Sequence, residues 1–208
     1  SEALNKTIQS ADCVIFSDYF KGALAKMDSL VSYCKTAQTP TLLDPKPHPN
    51  APYVGVDWIK PNLKEFHAFI QHAKLKEMPE HEAANKLRLT NNWTHLLITK
   101  GEQGMSYYGP NTHFNLPTDP ATIYDVTGAG DTVTATLAMA LTNNYTEQEA
   151  IELSNLAGKL AVQKKGTAQI STHELFLAYA DQIKKTIDMT SSVDFFRYIE
   201  AYKKTKKK

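Results

Sequence analysis

The stretch Tyr124-Asp125-Val126-Thr127-Gly128-Ala129-Gly130-Asp131-Thr132 holds the residue types needed to move a phosphoryl group. The apolar run from Val133 to Leu141 follows it and reads as a buried helix, so Gly128, Ala129 and Gly130 form the entry to that helix. The first turn of a helix leaves backbone N–H groups without intrahelical partners and carries the positive end of the macrodipole. Glycine lets an anion come close to those groups. Asp131 falls in the same turn, beside the place where a phosphate would rest. A carboxylate there repels the anion, so its presence asks for a reason. Taking the proton from a hydroxyl that attacks the phosphate is one reason. Ordinary dipole chemistry is another, because Asp is common in first helical turns and glycine is common before helices. On the string alone both readings stand.

The elements that would position this turn follow from periodicity. Asp12 to Ser17, Thr41 to Asp44, Val56 to Ile59 and His95 to Thr99 are short apolar runs that read as buried strands. Helices are expected over about Lys21 to Ala37, from Asn62 to about His72, and from about Pro79 to Leu89. Met105 to Tyr108 and Thr112 to Leu116 read as a hairpin around Gly109-Pro110-Asn111. Thr146-x-x-Glu149 and Ser171-x-x-Glu174 are capping boxes that open helices to about Lys164 and about Ile187. Pro45, Pro47, Pro49 and Pro52 mark an irregular loop. Strands alternating with helices predict an α/β fold with a mostly parallel central sheet. Ligands of such sheets sit at the C-terminal ends of the strands, where Asp18, Asp44, Asn62, Thr99 and Gly128 all fall.

Several other segments could carry chemistry, and each has a plain structural explanation beside it. Asn62-x-x-Glu65 is a helix N-cap with a good partner three residues on. Thr99, Gly101 and Gly104 form a turn that enters the hairpin. Asn155 lies inside a helix, where Asn is mildly unfavourable and hints at a partner. Asp44 and Lys46 end a strand, and Lys21, Lys46 and Lys60 are point charges suited to phosphate or to solvent alike. The histidines show no HExxH spacing. There is no Gly-x-Ser-x-Gly elbow and no P-loop, so any phosphate site works without a Walker lysine.

The string resembles the signature of the ribokinase-like (PfkB) family of sugar kinases. Ser17-Asp18-Tyr19-Phe20-Lys21-Gly22, Leu43-Asp44-Pro45-Lys46, Lys60 to Phe66, Ile98 to Ser106, Asn155 and Lys164 to Thr167 agree in order, from about Ala11 to about Glu174. Within the family the set is most similar to kinases of D-glycero-D-manno-heptose 7-phosphate. The resemblance implies a three-layer ribokinase-like fold and an ATP-dependent kinase acting on the anomeric hydroxyl of a sugar phosphate. It implies Asp131 as the base, with the N–H groups of Gly128, Ala129 and Gly130 stabilising the transferring group. Asn62 and Glu65 are expected to order the waters of Mg2+. Thr99, Gly101, Gly104, Asn155 and Lys60 are expected to contact the nucleotide. Asp125 is expected beside a monovalent cation loop, with K+ as the ion. A homodimer and a nucleotidyltransferase domain fused downstream are further expectations.

The chain has 208 residues, 42% of them hydrophobic and 22% charged, which suits one globular core. A formal net charge of +1 gives no case for nucleic acid. No apolar run approaches the roughly 20 residues of a membrane span, no signal peptide opens the chain, and Cys13 and Cys34 read as reduced thiols, so a cytoplasmic setting is expected. Relative to the family, the N-terminal strands, the small β lid and most sugar-binding residues precede the point where this chain begins. Residues 1–190 are therefore read as the C-terminal portion of a kinase domain. Residues 191–208 are read as a C-terminal helix and a tail or linker with five lysines in Lys203 to Lys208. Two alternatives remain at this point: a kinase of the same family for another sugar or a nucleoside, and a nucleotide-binding fragment without activity.

Overall fold

The computed structural model describes residues 2–19, 21–22, 24, 26–46, 48, 53–118, 123–166 and 169–187. The lysine-rich tail, the helix expected before it, and Thr167 lie outside these residues. The elements run α1 (Glu2–Gln9), β1 (Val14–Ser17), α2 (Met27–Ala37), β2 (Thr41–Asp44), β3 (Trp58–Ile59), α3 (Leu63–His72), α4 (Glu80–Thr90) and β4 (His95–Thr99). They continue with a 3-10 turn (Gly101–Gln103), β5 (Met105–Tyr108), β6 (His113–Leu116), α5 (Ala129–Thr142), α6 (Glu147–Val162) and α7 (Thr172–Ile187).

The six strands form one sheet in sequence order. β1 to β4 are parallel, and β5 and β6 add an antiparallel hairpin. Alternation of side chains distributes the strand residues between two cores. Phe16, Leu43, Ile59, Leu96, Ile98 and Tyr108 meet α1 to α4 on one face. Leu42, Trp58, Leu97, Met105 and Tyr107 meet α5 to α7 on the other. The result is the expected three-layer α/β architecture. Register between β2 and β3 is fixed by a reciprocal pair. The Asp57 carboxylate accepts the Thr41 N–H and hydroxyl at 2.8 and 2.7 Å, and Asp57 N–H donates back to the Thr41 hydroxyl at 2.8 Å.

Two boundaries depart from expectation. β3 is shorter than the run from Val56, because Asp57 spends its side chain on β2 and the paired segment begins at Trp58. α2 begins at Met27 rather than near Lys21. The Asp18 carboxylate, which could have capped an earlier start, takes the Tyr53 hydroxyl instead.

The sheet also buries a titratable group. The His95 ring stacks on Trp58 at 4.2 Å between centroids, and its Nδ1 lies 2.7 Å from the Tyr107 hydroxyl. Burial holds this imidazole down at about 4, against an ordinary value of 6.5. Between those values the unfolded chain binds the extra proton and the folded one does not, so stability is full above pH 6.5 and falls as pH drops toward 4. At pH 5 the loss from this one group is about 2 kcal/mol. We expect urea unfolding of His95→Phe to lack that part of the decline between pH 7 and pH 5. Parallel pH slopes in the two proteins would refute it.

Candidate active site

The turn at Gly128 to Asp131 is built by three local bonds. The Tyr124 N–H donates to the Val162 carbonyl at 2.8 Å, which pins the string to the end of α6. Asp125 accepts the N–H of Thr127 at 2.8 Å and of Gly166 at 3.1 Å, joining the string to the loop after α6. The Thr127 side chain, together with these backbone bonds, holds its carboxyl below the ordinary range. Gly128 then caps α5 at φ +78°, a left-handed conformation that a residue with a β-carbon adopts only under strain. The Ala129 N–H turns back to the Val126 carbonyl at 3.3 Å. Among the described residues, the first-turn N–H groups without a partner therefore include those of Gly130 and Asp131, and the second of these was not singled out from sequence. Asp131 itself is exposed.

A cavity of about 570 Å³ opens beside this turn. Asn62, Thr99, Gly101, Gly104, Asn155, Ala129 and Gly130 line it, so seven of the residues singled out from sequence converge on one space. Asn62 and Thr99 are neighbours through a parallel bridge, with Thr99 N–H on the Pro61 carbonyl at 3.0 Å. Asn155 reaches across from α6 to the segment after β6, with its amide nitrogen 3.4 Å from the Pro117 carbonyl. An apolar wall completes the cavity: Met105, Ile123, Val126, Val133 and Val162. Sequence reasoning missed this wall, because valines and isoleucines in loops and helices read as ordinary core. It also missed Gly158, where a β-carbon would stand 2.8 Å from Val133 Cγ2. Its small size lets α6 close on α5.

Five candidates stand outside the lining: Gly128, which caps α5 as described, and Asp125, Asp131, Glu65 and Lys60. Asp125 shapes the string as described. Asp131 is exposed in the first turn of α5. Glu65 is one step behind Asn62: it closes the capping box, with Oε2 on the Asn62 N–H at 2.9 Å and its own N–H on Asn62 Oδ1 at 2.9 Å. Its Oε1 takes Lys46 Nζ at 2.6 Å, and this bond raises the Lys46 pKa. Lys60 is 2% exposed and pairs with Asp44 at 3.1 Å. Burial pushes the Asp44 carboxyl up despite the pull of Lys60. A second network ties these segments together, since the Tyr53 hydroxyl donates to Asp18 and accepts the Lys46 N–H at 3.2 Å.

The description "pfkB family carbohydrate kinase" matches residues 1–174. The chain belongs to this family. It is 40% identical over 183 residues to the bifunctional protein HldE of Chromohalobacter salexigens, covering 86% of this chain and 37% of that protein. To the HldE of a Marinomonas species it is 38% identical over 181 residues, covering 84% of this chain and 38% of the relative. The chain thus spans somewhat over a third of the length of the curated relatives it matches. Among solved structures, the Arabidopsis thaliana ribokinase complexed with ribose and ATP superimposes with a TM-score of 0.74 at 21% identity, over 86% of this chain and 59% of that one. Phosphofructokinase-2 of Escherichia coli in complex with potassium gives 0.72 at 19% identity, over 86% and 61%. At these identities the likeness shows a ribokinase-like fold. Among the described residues no helix is long and apolar enough to cross a membrane.

The donor set also bears on Mg2+. Among the described residues no cluster of three or more His, Cys, Asp or Glu side chains could cage a metal. Glu65 already uses each carboxylate oxygen once, which leaves lone pairs for water but little room for direct ligation. That arrangement fits a Mg2+ held mainly by nucleotide phosphates and its own waters, as this ion prefers.

Proposed function

We propose that this chain is the nucleotide-binding and catalytic portion of an ATP-dependent kinase of D-glycero-D-manno-heptose 7-phosphate. The product would be the 1,7-bisphosphate, on the route to ADP-heptose and the lipopolysaccharide core. The observation that carries the reading is the first turn of α5. There a carboxylate and unpartnered N–H groups sit at the edge of a nucleotide-sized cavity, in a chain of the pfkB family close to 40% identical to HldE proteins.

In this reading Asp131 takes the proton from O1 of the sugar as that oxygen attacks the γ-phosphorus. The bond to the β-bridging oxygen breaks, and ADP leaves. The N–H groups of Gly130 and Asp131, with Gly128 shaping the approach, meet the charge on the transferring group. Such catalysis is positioning and electrostatics. The apolar wall of Ile123, Val126, Val133 and Val162 suits the adenine, and Asn155, Thr99, Gly101 and Gly104 border the sugar and phosphates of the nucleotide. Asn62 and Glu65 would order the waters of Mg2+, which supplies positive charge to the phosphates when bound. Asp125 would shape a K+ loop rather than enclose the ion, since its carboxylate is occupied by backbone N–H groups.

The word "bifunctional" in the names of the HldE relatives supports a second function in the same polypeptide, which we read as a nucleotidyltransferase domain. A homodimer and a cytoplasmic setting belong to the same reading. Use of ATP and two unpaired cysteines support the setting. The test is ADP release by the full-length protein with Mg-ATP and, in turn, heptose 7-phosphate, fructose 6-phosphate, ribose and adenosine. Turnover with the heptose phosphate alone supports the reading. Turnover with another acceptor only would keep the Asp131 chemistry and discard the substrate.

A further inference from the structure

α3 carries its aromatic residues on one side and a row of nitrogens on the other. Phe66 and Phe69 are buried in the core under the sheet. Lys64, His67, Ala68 and Gln71 recur at the i, i+3, i+4, i+7 spacing of a single helix face. The chain then folds back beside that face. Lys74 turns at φ +57°, its N–H donates to the Gln71 carbonyl at 3.1 Å, and the Leu75 N–H donates to the Ile70 carbonyl at 2.9 Å. This return brings Lys76 and Met78 alongside α3, and together they line a groove of about 500 Å³. It shares no lining residue with the nucleotide-sized cavity. Its chemistry is one-sided. Lys64, His67, Gln71 and Lys76 are exposed, and among the described residues their side chains have no hydrogen bond or ion pair. A solvated helix face ordinarily mixes signs, so that a lysine finds an acid three or four positions away. Lys64 finds Lys60, Pro61, His67 and Ala68 at those positions. Glu80 is the one carboxylate in the lining, and it is committed elsewhere: its Oε1 takes Lys100 Nζ at 2.5 Å and the Tyr108 hydroxyl at 3.1 Å. The floor is apolar, since Ile70 and Met78 are partly buried and pack on the core beneath.

We propose that this groove is a second ligand site, separate from the site of phosphoryl transfer, and that it binds a small organic phosphate. The phosphate rests on Lys64, His67 and Lys76, and the carbon body lies over Ile70 and Met78. Lysine ammoniums suit phosphate as point charges, and the imidazole and the Gln71 amide add directional N–H donors. Phosphate alone would leave Ile70 and Met78 in water, whereas an ester removes that apolar surface from it. The basic residues are confined to two turns of one helix and its return loop. A nucleic-acid backbone needs a longer basic track, with several phosphates neutralised in register. The inference is independent of the phosphoryl-transfer reading, because no residue given a role there lines the groove.

The test uses the full-length protein with Mg2+ and β,γ-imido-ATP present in excess, so that the probes do not compete for the α5 entry. Inorganic phosphate and phenyl phosphate are titrated at constant pH into protein with isotope-labelled histidine. The NMR signal of the His67 ring is the readout, identified by its absence in His67→Gln. Phenyl phosphate should move that signal along a saturating curve. Inorganic phosphate should move it the same way with about tenfold weaker affinity, because it leaves the apolar floor uncovered. Lys64→Gln/Lys76→Gln replaces two exposed side chains, so it should keep the parental unfolding midpoint and weaken phenyl phosphate by about tenfold or more. A His67 signal that stays fixed at about 10 mM phenyl phosphate, well above a millimolar Kd, would overturn the inference. So would a shift of equal affinity in the double lysine variant, which would mean that the charges play no part. Equal affinity for the two probes would overturn the organic body of the ligand. Sedimentation of Lys64→Glu/Lys76→Glu decides the competing occupant: an unchanged oligomeric state supports a small ligand, and a changed one would assign this face to contact between copies of the chain.

Discussion

Asp131→Asn is expected to lower kcat by about 10²–10⁴ while leaving ATP affinity equal to or above that of the parent. The amide is isosteric with the carboxylate and cannot accept the proton. Asp131 is exposed in the first turn of α5, so the exchange leaves both cores intact. The helix loses a favourable charge near its N-terminus, a cost of about 0.3–1 kcal/mol, far too small to unfold the element. For nucleotide the sign is opposite. Removing a negative charge beside the N–H groups of Gly130 and Asp131 relieves repulsion toward an incoming phosphate. The two readings of this residue therefore separate in one experiment, single-turnover phosphoryl transfer alongside ATP binding in the full-length protein. Rate lost with binding kept assigns Asp131 to the proton. Binding lost along with rate would make it a structural residue of the turn.

What could be read from the sequence, and what could not, divides by the range of the interaction. The short apolar runs Thr41 to Asp44 and His95 to Thr99 are local, and they marked these strands. Capping is local too: Asn62 and Glu65, and Thr146 and Glu149, form the reciprocal boxes that their spacing announces. The start of α2 was misplaced because the competitor for Asp18 is Tyr53, distant in sequence and brought close only by the fold. The same limit hid the state of Lys60. Nothing in Ile59-Lys60-Pro61 says that the lysine is buried, that Asp44 is its partner, or that Gly130 faces it, since each fact joins residues on different elements. Asn155 was legible only as a polar residue out of place within a helix. Its partners, Thr118 and Pro117, come from the segment after β6.

Gly104→Ala is the substitution expected to damage the fold most directly at the site. Gly104 precedes β5 at φ +83°, a backbone region in which a β-carbon is strained. Space compounds the strain. The added β-carbon would lie 2.0 Å from the Leu116 carbonyl oxygen, 2.8 Å from Thr118 N and 2.9 Å from the Pro117 carbonyl carbon. All three are backbone atoms, so no side chain can swing aside to make room. Either the 3-10 turn at Gly101–Gln103 opens, breaking the bonds of Lys100 N–H to the Gly104 carbonyl at 2.8 Å and of Gly104 N–H to the Gly101 carbonyl at 3.0 Å, or β6 moves away from β5. Backbone strain and overpacking together are expected to cost about 3 kcal/mol or more. The displaced atoms belong to the segment that meets Asn155, and Gly104 lines the same cavity as Thr99 and Gly101. The destabilisation should therefore come with weakened nucleotide binding, unlike the effect of Asp131→Asn. Urea unfolding monitored beside ADP binding measures both. If the midpoint held while ADP affinity fell, the hairpin would have yielded without cost and Gly104 would act through the nucleotide alone. If neither changed, the close approach of Gly104 to Leu116 would not constrain this protein in solution.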